Sequence, residues 1–253
     1  MKKILIYAAL LFLAVVAEGA ESTSLERWEA GNKSYIEGNY EKAVEEYRAI
    51  YDGGEYSMKL CYNLANAYFK AGEVANAILF YNRALQLAPA NEDIRHNLAL
   101  AEAQTKDRIA VVPEFFLNRW LRTMANSMSC MAWSVLSLAM LAVLITFTLI
   151  FLLASAIRVR KAGFYGALVS LLLFVATTSF ALAVRSDMLS RENAIVMSSA
   201  ISVKSSPDNS ATDLFVLHEG TKVKVLSKVD NWCEVVIADG KKGWVLNSNI
   251  EKI

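Results

Sequence analysis

Three cysteines in 253 residues, with no CxxC among them, leave no framework for a disulfide-stapled scaffold. Three prolines and eleven glycines exclude collagen-like and linker-like chains. Two histidines, His96 and His218, stand far apart in the chain, whereas a metal site needs several ligands at ligand spacing. Charged residues make up 20% against 55% hydrophobic, which excludes a disordered chain. A net charge of +1 lacks the basic excess of a nucleic-acid binder, so no nucleic-acid partner is expected. The sequence has no nucleophile elbow, phosphate loop or dinucleotide fingerprint. A non-enzyme without cofactor or metal is the expectation.

The small net charge is a sum of unlike parts. Residues 21–112 carry ten Lys/Arg and fourteen Asp/Glu, a net of −4. Residues 113–191 carry seven and two, a net of +5, and residues 192–253 seven and eight, a net of −1. Three zones with different solvents explain this better than one globule.

Lys2 and Lys3, the uncharged stretch Ile4–Ala17 and the small residues Ala17 and Gly19 read as a signal peptide over 1–19. An uncleaved anchor is the alternative, and either way the following segment is exported. No charge occurs from Thr123 to Ile157 or from Ala162 to Val184. Both runs are apolar on all faces and long enough to cross a ~30 Å hydrocarbon core. They predict transmembrane helices over 133–156 and 162–184, joined by a loop over 157–161. That loop carries Arg158, Arg160 and Lys161 and no acid, so it is expected on the cytoplasmic side, with both flanking domains outside. Before the first span, residues 113–130 form an amphipathic segment. Phe116, Trp120, Met124 and Met128 recur every four residues, and Arg119 and Arg122 point elsewhere. This helix either lies at the membrane surface or packs against the soluble domain.

The exported part repeats every 34 residues. Gly31 aligns with Ala65 and Ala99, Tyr35 with Phe69, Gly38 with Gly72, Ala43 with Ala77 and Tyr47 with Tyr81; Ala84 and Pro89 complete the pattern. Small residues permit close helix approach, glycines end the first helices, and Pro89 stops the second helix of the second repeat. These residues resemble tetratricopeptide (TPR) repeats over 24–107, divided into 24–57, 58–91 and a capping helix 92–107. The resemblance implies a concave groove for a protein or peptide partner, lined by Trp28, Asn32, Tyr35, Tyr62, Asn66, Phe69 and His96. Packing between repeats is the other reading of the aromatic residues. Asn32 and Asn66 stand where carboxylate-clamp TPR proteins keep asparagines. Trp28 replaces that family's first lysine, and Asp93 and Asn97 replace its basic residues in the third repeat, so the likeness does not extend to carboxylate recognition.

From Asn193 the period becomes two. Thr221–Val225 alternates polar and apolar, Trp232–Ile237 follows, and Asp239-Gly240 signals a hairpin before Lys242–Val245. With Val203–Pro207 and Leu217–Val223, these segments resemble a bacterial SH3-like (SH3b) domain over 193–253. The resemblance implies binding of wall peptides or proteins, with Trp232 and Trp244 either lining the site or packing in the barrel. Cys61 falls in a TPR helix and Cys233 in a strand; both are expected to be buried apolar residues.

The fold class predicted is a multi-domain membrane protein, composed of an α-helical TPR solenoid, a two-helix transmembrane hairpin and a small all-β SH3-like barrel. This order, together with Thr212–Thr221, resembles the BatE members of the Bacteroides aerotolerance (Bat) operon family. The resemblance implies an inner-membrane protein acting with other Bat membrane proteins and a MoxR-type ATPase in oxidative or envelope stress. The expected function is a non-catalytic interaction scaffold with both modules on the periplasmic face. The alternative is a peptidoglycan-binding sensor or anchor acting through the SH3b domain. The lipid bilayer is an expected partner in both.

Overall fold

Repeated chemistry builds repeated helices. The computed structural model describes residues 23–110, 115–189 and 192–253. The signal peptide expected over 1–19, and Pro113 and Glu114 of the amphipathic segment, lie outside them. Helix α1 covers 23–36, α2 Tyr40–Asp52, α3 Met58–Lys70, α4 Val74–Leu87 and α5 Glu92–Glu102. After α1 and α3 the chain turns at Gly38 and Gly72, whose φ angles of 81° and 84° would strain any side chain. The next amides then bond back, Asn39 N–H to the Ser34 carbonyl and Glu73 N–H to the Tyr68 carbonyl, both at 2.9 Å. Side-chain oxygens of Asn39, Ser57 and Asn91 cap α2, α3 and α5 by accepting from the amides of Lys42, Leu60 and Ile94.

The 34-residue period is a packing period. A Cβ at Gly31 would lie 2.7 Å from the Tyr47 ring, so only glycine lets α1 approach α2 this closely. Ala43, Ala65, Ala77 and Ala84 are fully buried, and Tyr47 and Tyr81 fill the space between paired helices. Ala99 departs from the expected pattern and is exposed. The third unit has one helix, so Ala99 has no partner helix to face; Ile94, Leu98 and Ala101 carry the packing against α4 instead. That helix ends at Glu102 rather than at 107.

The membrane-length part starts with α6, Phe116–Ala125, followed by α7, Cys130–Leu153, and α8, Ile157–Leu189. The 24 residues of α7 rise about 36 Å at 1.5 Å each, enough for a bilayer core. Few residues of either long helix are buried in the protein, unlike the core helices of a soluble fold. Between them, Ser137 and Thr178 share a hydrogen bond of 2.7 Å. A Cβ at Gly163 would lie 2.6 Å from the Phe151 backbone nitrogen, and one at Gly166 2.4 Å from the Phe147 ring. The two glycine contacts set the turn. The residues expected to form a loop, 157–161, are helical, and the non-helical connection is 154–156. No residue of Ile157–Lys161 breaks a helix, and Gly163 brings α8 against the end of α7, leaving three residues to reverse the chain. Arg158, Arg160 and Lys161 are therefore exposed residues of the first turns of α8.

The C-terminal strands are β1 Asn193–Val196, β2 Ala200–Lys204, β3 Asp213–His218, β4 Lys222–Val229, β5 Trp232–Val236, β6 Lys242–Leu246 and β7 Ile250–Lys252. They form one antiparallel sheet in the order β3-β2-β6-β5-β4-β1-β7. Val196, Val203, Leu217, Val223, Val235 and Val245 form its core with Cys233. Register shifts at Val203/Lys204 and Val225/Ser227 bend the sheet round that core. This all-β unit, the TPR helices and the two long apolar helices make up the expected fold class.

Candidate interaction surfaces

Paired helices of a TPR array present their first members to the groove, so α1, α3 and α5 decide what lies there. The asparagines of these helices form a ladder. The Tyr47 hydroxyl donates to Asn32 Oδ1 at 2.7 Å, and the Tyr81 hydroxyl donates to Asn66 Oδ1 at 2.6 Å. Asn63 Nδ2 also donates to Asn32 Oδ1 at 3.4 Å, and Asn97 Nδ2 to Asn66 Oδ1 at 3.1 Å. Asn97 Nδ2 lies 2.9 Å from the Tyr62 hydroxyl as well. Each rung thus recurs at 34 residues. The tyrosine protons occupy the amide oxygens and leave the Asn32 and Asn66 amide N–H groups as the donors of this face. Burial pushes the Tyr47 and Tyr81 pKa values up, so both hydroxyls remain proton donors.

The structure brings Tyr62, Asn66 and Asn97 together and places Asn32 against Asn63. Tyr35 and Phe69 are half-buried against the TPR core, with Tyr35 edge-on to Tyr40 at 5.4 Å. His96 is exposed on α5. Trp28 packs on the core with its ring 5.5 Å from that of Tyr47. It also lines a 370 Å³ pocket at the N-terminal end of the array with Leu25, Ile50, Lys59 and Leu60. Asn63 was missed by sequence reasoning, although the period that pairs Asn32 with Asn66 also pairs Asn63 with Asn97.

The second surface was not legible in either module alone, because it is their junction. Ile195 belongs to the TPR core cluster, and Met197 and Ile253 pack on it, while Ile109 packs on the barrel core. Arg83 of α4 is buried, donates to Glu251 Oε1 at 3.0 Å and the Lys252 carbonyl at 2.7 Å, and lies over the Phe80 ring at 4.9 Å. Lys222 donates to Asn82 Oδ1 at 2.8 Å. Burial lowers the Lys222 pKa against the pull of Glu102, and burial raises that of Glu102 against Lys222. Both keep exposed surface although the junction surrounds them, so solvent screening weakens the pair. Asp107 accepts from the His218 amide at 2.8 Å and the Thr221 hydroxyl at 2.7 Å, and His218 Nδ1 lies 2.7 Å from its other oxygen. Burial works to raise the Asp107 pKa, and these hydrogen bonds overcome it and hold the carboxyl below its ordinary value. The barrel thus sits on α4 and the segment after α5.

On the barrel, Cys233, Val235 and Val245 point inward, so Trp232, Glu234, Trp244 and Leu246 point outward. Trp232 pairs with Leu246 and Val229, and Glu234 with Trp244 and Ser227. Both indoles are half-buried on one outer face, diagonal to each other. Among the described residues, no group of three or more His, Cys, Asp or Glu is placed to hold a metal ion.

No curated protein matches the chain. Residues 59–91 match the tetratricopeptide repeat family. Residues 199–251 match the bacterial SH3 domain family. The chain thus carries a tetratricopeptide repeat and a bacterial SH3 domain, two kinds of module that typically bind proteins or cell-wall material, beside two helices of membrane length.

Proposed function

We propose that this chain is a non-catalytic scaffold of the bacterial inner membrane that holds one TPR–SH3b unit on the periplasmic face and assembles partner proteins there. One observation carries this reading. The barrel packs on α4 and the chain after α5, while the asparagines of α1, α3 and α5 keep half-exposed surface and His96 is exposed. A segment laid along α1, α3 and α5 would meet amide donors from Asn32 and Asn66 and aromatic faces from Tyr35, Tyr62 and Phe69. The Bat resemblance supplies the class of partner, namely other Bat membrane proteins. The junction supports the topology. TPR and SH3b residues share one core cluster, and the hairpin departs and returns between them. Both flanks then lie on the same side, and Arg158, Arg160 and Lys161 at the turn favour the cytoplasm for the other. The test is a photoreactive amino acid at His96 in native membranes. A discrete crosslinked membrane protein is expected, and the absence of any adduct there overturns the reading.

The outward pair Trp232 and Trp244 favours a second reading, cell-wall binding through the SH3b face. Retention of the detergent-solubilised full chain on isolated wall material, lost in a Trp232→Ala/Trp244→Ala variant, supports it. Equal retention of both proteins removes it.

A further inference from the structure

We propose that α6 is a second membrane contact of this chain, lying along the outer surface of the bilayer and binding anionic phospholipid. The proposal rests on the reading of α7 and α8 as a spanning hairpin. At 100° per residue, Phe116, Trp120, Met124, Leu117 and Leu121 fall within an arc of about 140°, and Asn118, Arg122, Arg119 and Thr123 fill the opposite side. In the folded chain the apolar arc is open. Phe116 is 67% exposed, Trp120 56% and Leu117 44%, with Phe115 just before the helix at 62%. Exposure on this scale along one helix face marks an interaction surface rather than an ordinary protein exterior.

What covers it follows from where it is fixed. Ala125, in the last turn, is the buried residue of α6; it joins Trp133 of α7 and Val184 of α8 in a small apolar cluster with Met128 and Phe180. The Trp133 indole N–H donates to the Ala125 carbonyl at 2.8 Å. The C-terminal end of α6 is therefore pinned where α7 begins and α8 ends, at the level where a spanning hairpin leaves the hydrocarbon. A short helix held there with an aromatic and aliphatic arc meets the acyl boundary. Arg119 and Arg122 on its polar side reach the phosphate layer, where guanidinium groups bind phosphate oxygens in pairs. Trp120 suits this depth, because an indole has an apolar body and a polar edge.

Quenching in vesicles of brominated phosphatidylcholine, with and without phosphatidylglycerol, tests the idea on the full chain. Of the five tryptophans, Trp120 is exposed at this level, and Trp133 lies buried beside it at the start of the hairpin. Trp120→Phe is expected to remove the larger share of the lipid-quenchable emission, since Trp120 is exposed, and Trp133→Phe the smaller remainder, since Trp133 is buried. Arg119→Gln/Arg122→Gln is expected to abolish the increase in Trp120 quenching that phosphatidylglycerol produces, with quenching in pure phosphatidylcholine retained. Unchanged quenching in Trp120→Phe overturns the proposal and leaves the hairpin intact if Trp133 is still quenched. Loss of both signals overturns the hairpin reading with it. A Trp120 shielded from lipid and from aqueous iodide alike means that a protein or a second copy covers α6, which also overturns it. An unchanged phosphatidylglycerol effect in the arginine variant overturns the anionic-lipid assignment.

Discussion

Asp107 shows how much one side chain can hold. Its carboxylate takes hydrogen bonds from the His218 amide and the Thr221 hydroxyl and meets the His218 ring, joining the end of the helical array to the β3–β4 turn. Because its folded pKa lies below the ordinary value, the unfolded chain binds more protons at acid pH. Its stabilisation is therefore present above the normal carboxylate range and disappears as pH falls through the folded value. Asp107→Asn should cost about 1.5–3 kcal/mol near neutral pH, with a difference that shrinks toward zero in acid, as read from melting of the full chain in nanodiscs. At Gly31 the constraint is steric. Gly31→Ala puts a Cβ 2.7 Å from the Tyr47 ring and should destabilise the array by about 1–3 kcal/mol in the same assay. Cys61 is buried, and burial pushes its thiol up to about 11. It should resist maleimide in the folded chain at pH 8 and react after denaturation.

At the scale of elements, the membrane hairpin depends on shape. Water offers no driving force between two apolar helices in lipid, so packing and a few hydrogen bonds hold them. Gly163 and Gly166 let α8 meet Phe151 and Phe147 of α7, and Ser137 bonds to Thr178 nearer the other end. Gly166→Leu should force the helices apart at the basic turn. Cysteines in place of Phe151 and Phe164, whose rings stand 5.7 Å apart, should crosslink efficiently in the parent and poorly in that variant; equal crosslinking would show the glycine contact to be dispensable. The helices of the array follow a different rule. Each buries its apolar face only on its neighbours, and the third unit, with one helix, leaves part of α4 in need of cover. The barrel supplies that cover through Ile195 and through the partners of Arg83.

Across the whole molecule, this makes the barrel a cap as well as a candidate binding module. Its removal would expose Ile195's partners in the array and leave the buried Arg83 guanidinium without Glu251 and the Lys252 carbonyl. An unpaired buried charge is among the costlier defects in a fold. Ile195→Asp in the full chain should therefore speed amide exchange in α4 more than in α1. Equal protection in both helices would show that the modules are energetically independent. The same junction constrains topology, since reporter fusions after residue 110 and after residue 253 should report the same compartment, which is the periplasm on the proposed reading. Opposite compartments would require the junction to be broken in the cell.

Much of the architecture was fixed locally. The 34-residue recurrence of small and aromatic residues, the glycines before each second helix, the two uncharged runs and the Asp239-Gly240 turn each dictate an element through its own residues, because helix ends, span length and hairpin turns are short-range physics. The basic residues Arg158, Arg160 and Lys161 were legible for the same reason, although the turn itself falls at 154–156, where glycine packing between distant residues decides it. The asparagine ladder was partly legible, since position in the repeat named Asn32 and Asn66. That their oxygens are committed to Tyr47 and Tyr81 required the packed helices. Nothing in the sequence pairs Asp107 with His218, Arg83 with Glu251 or Ile195 with the TPR core, because these contacts join residues more than 100 positions apart across an intervening hairpin. Local chemistry determined the parts, and tertiary packing decided that the two outer modules form one unit, which part of the array the barrel packs on and which helix is left uncovered.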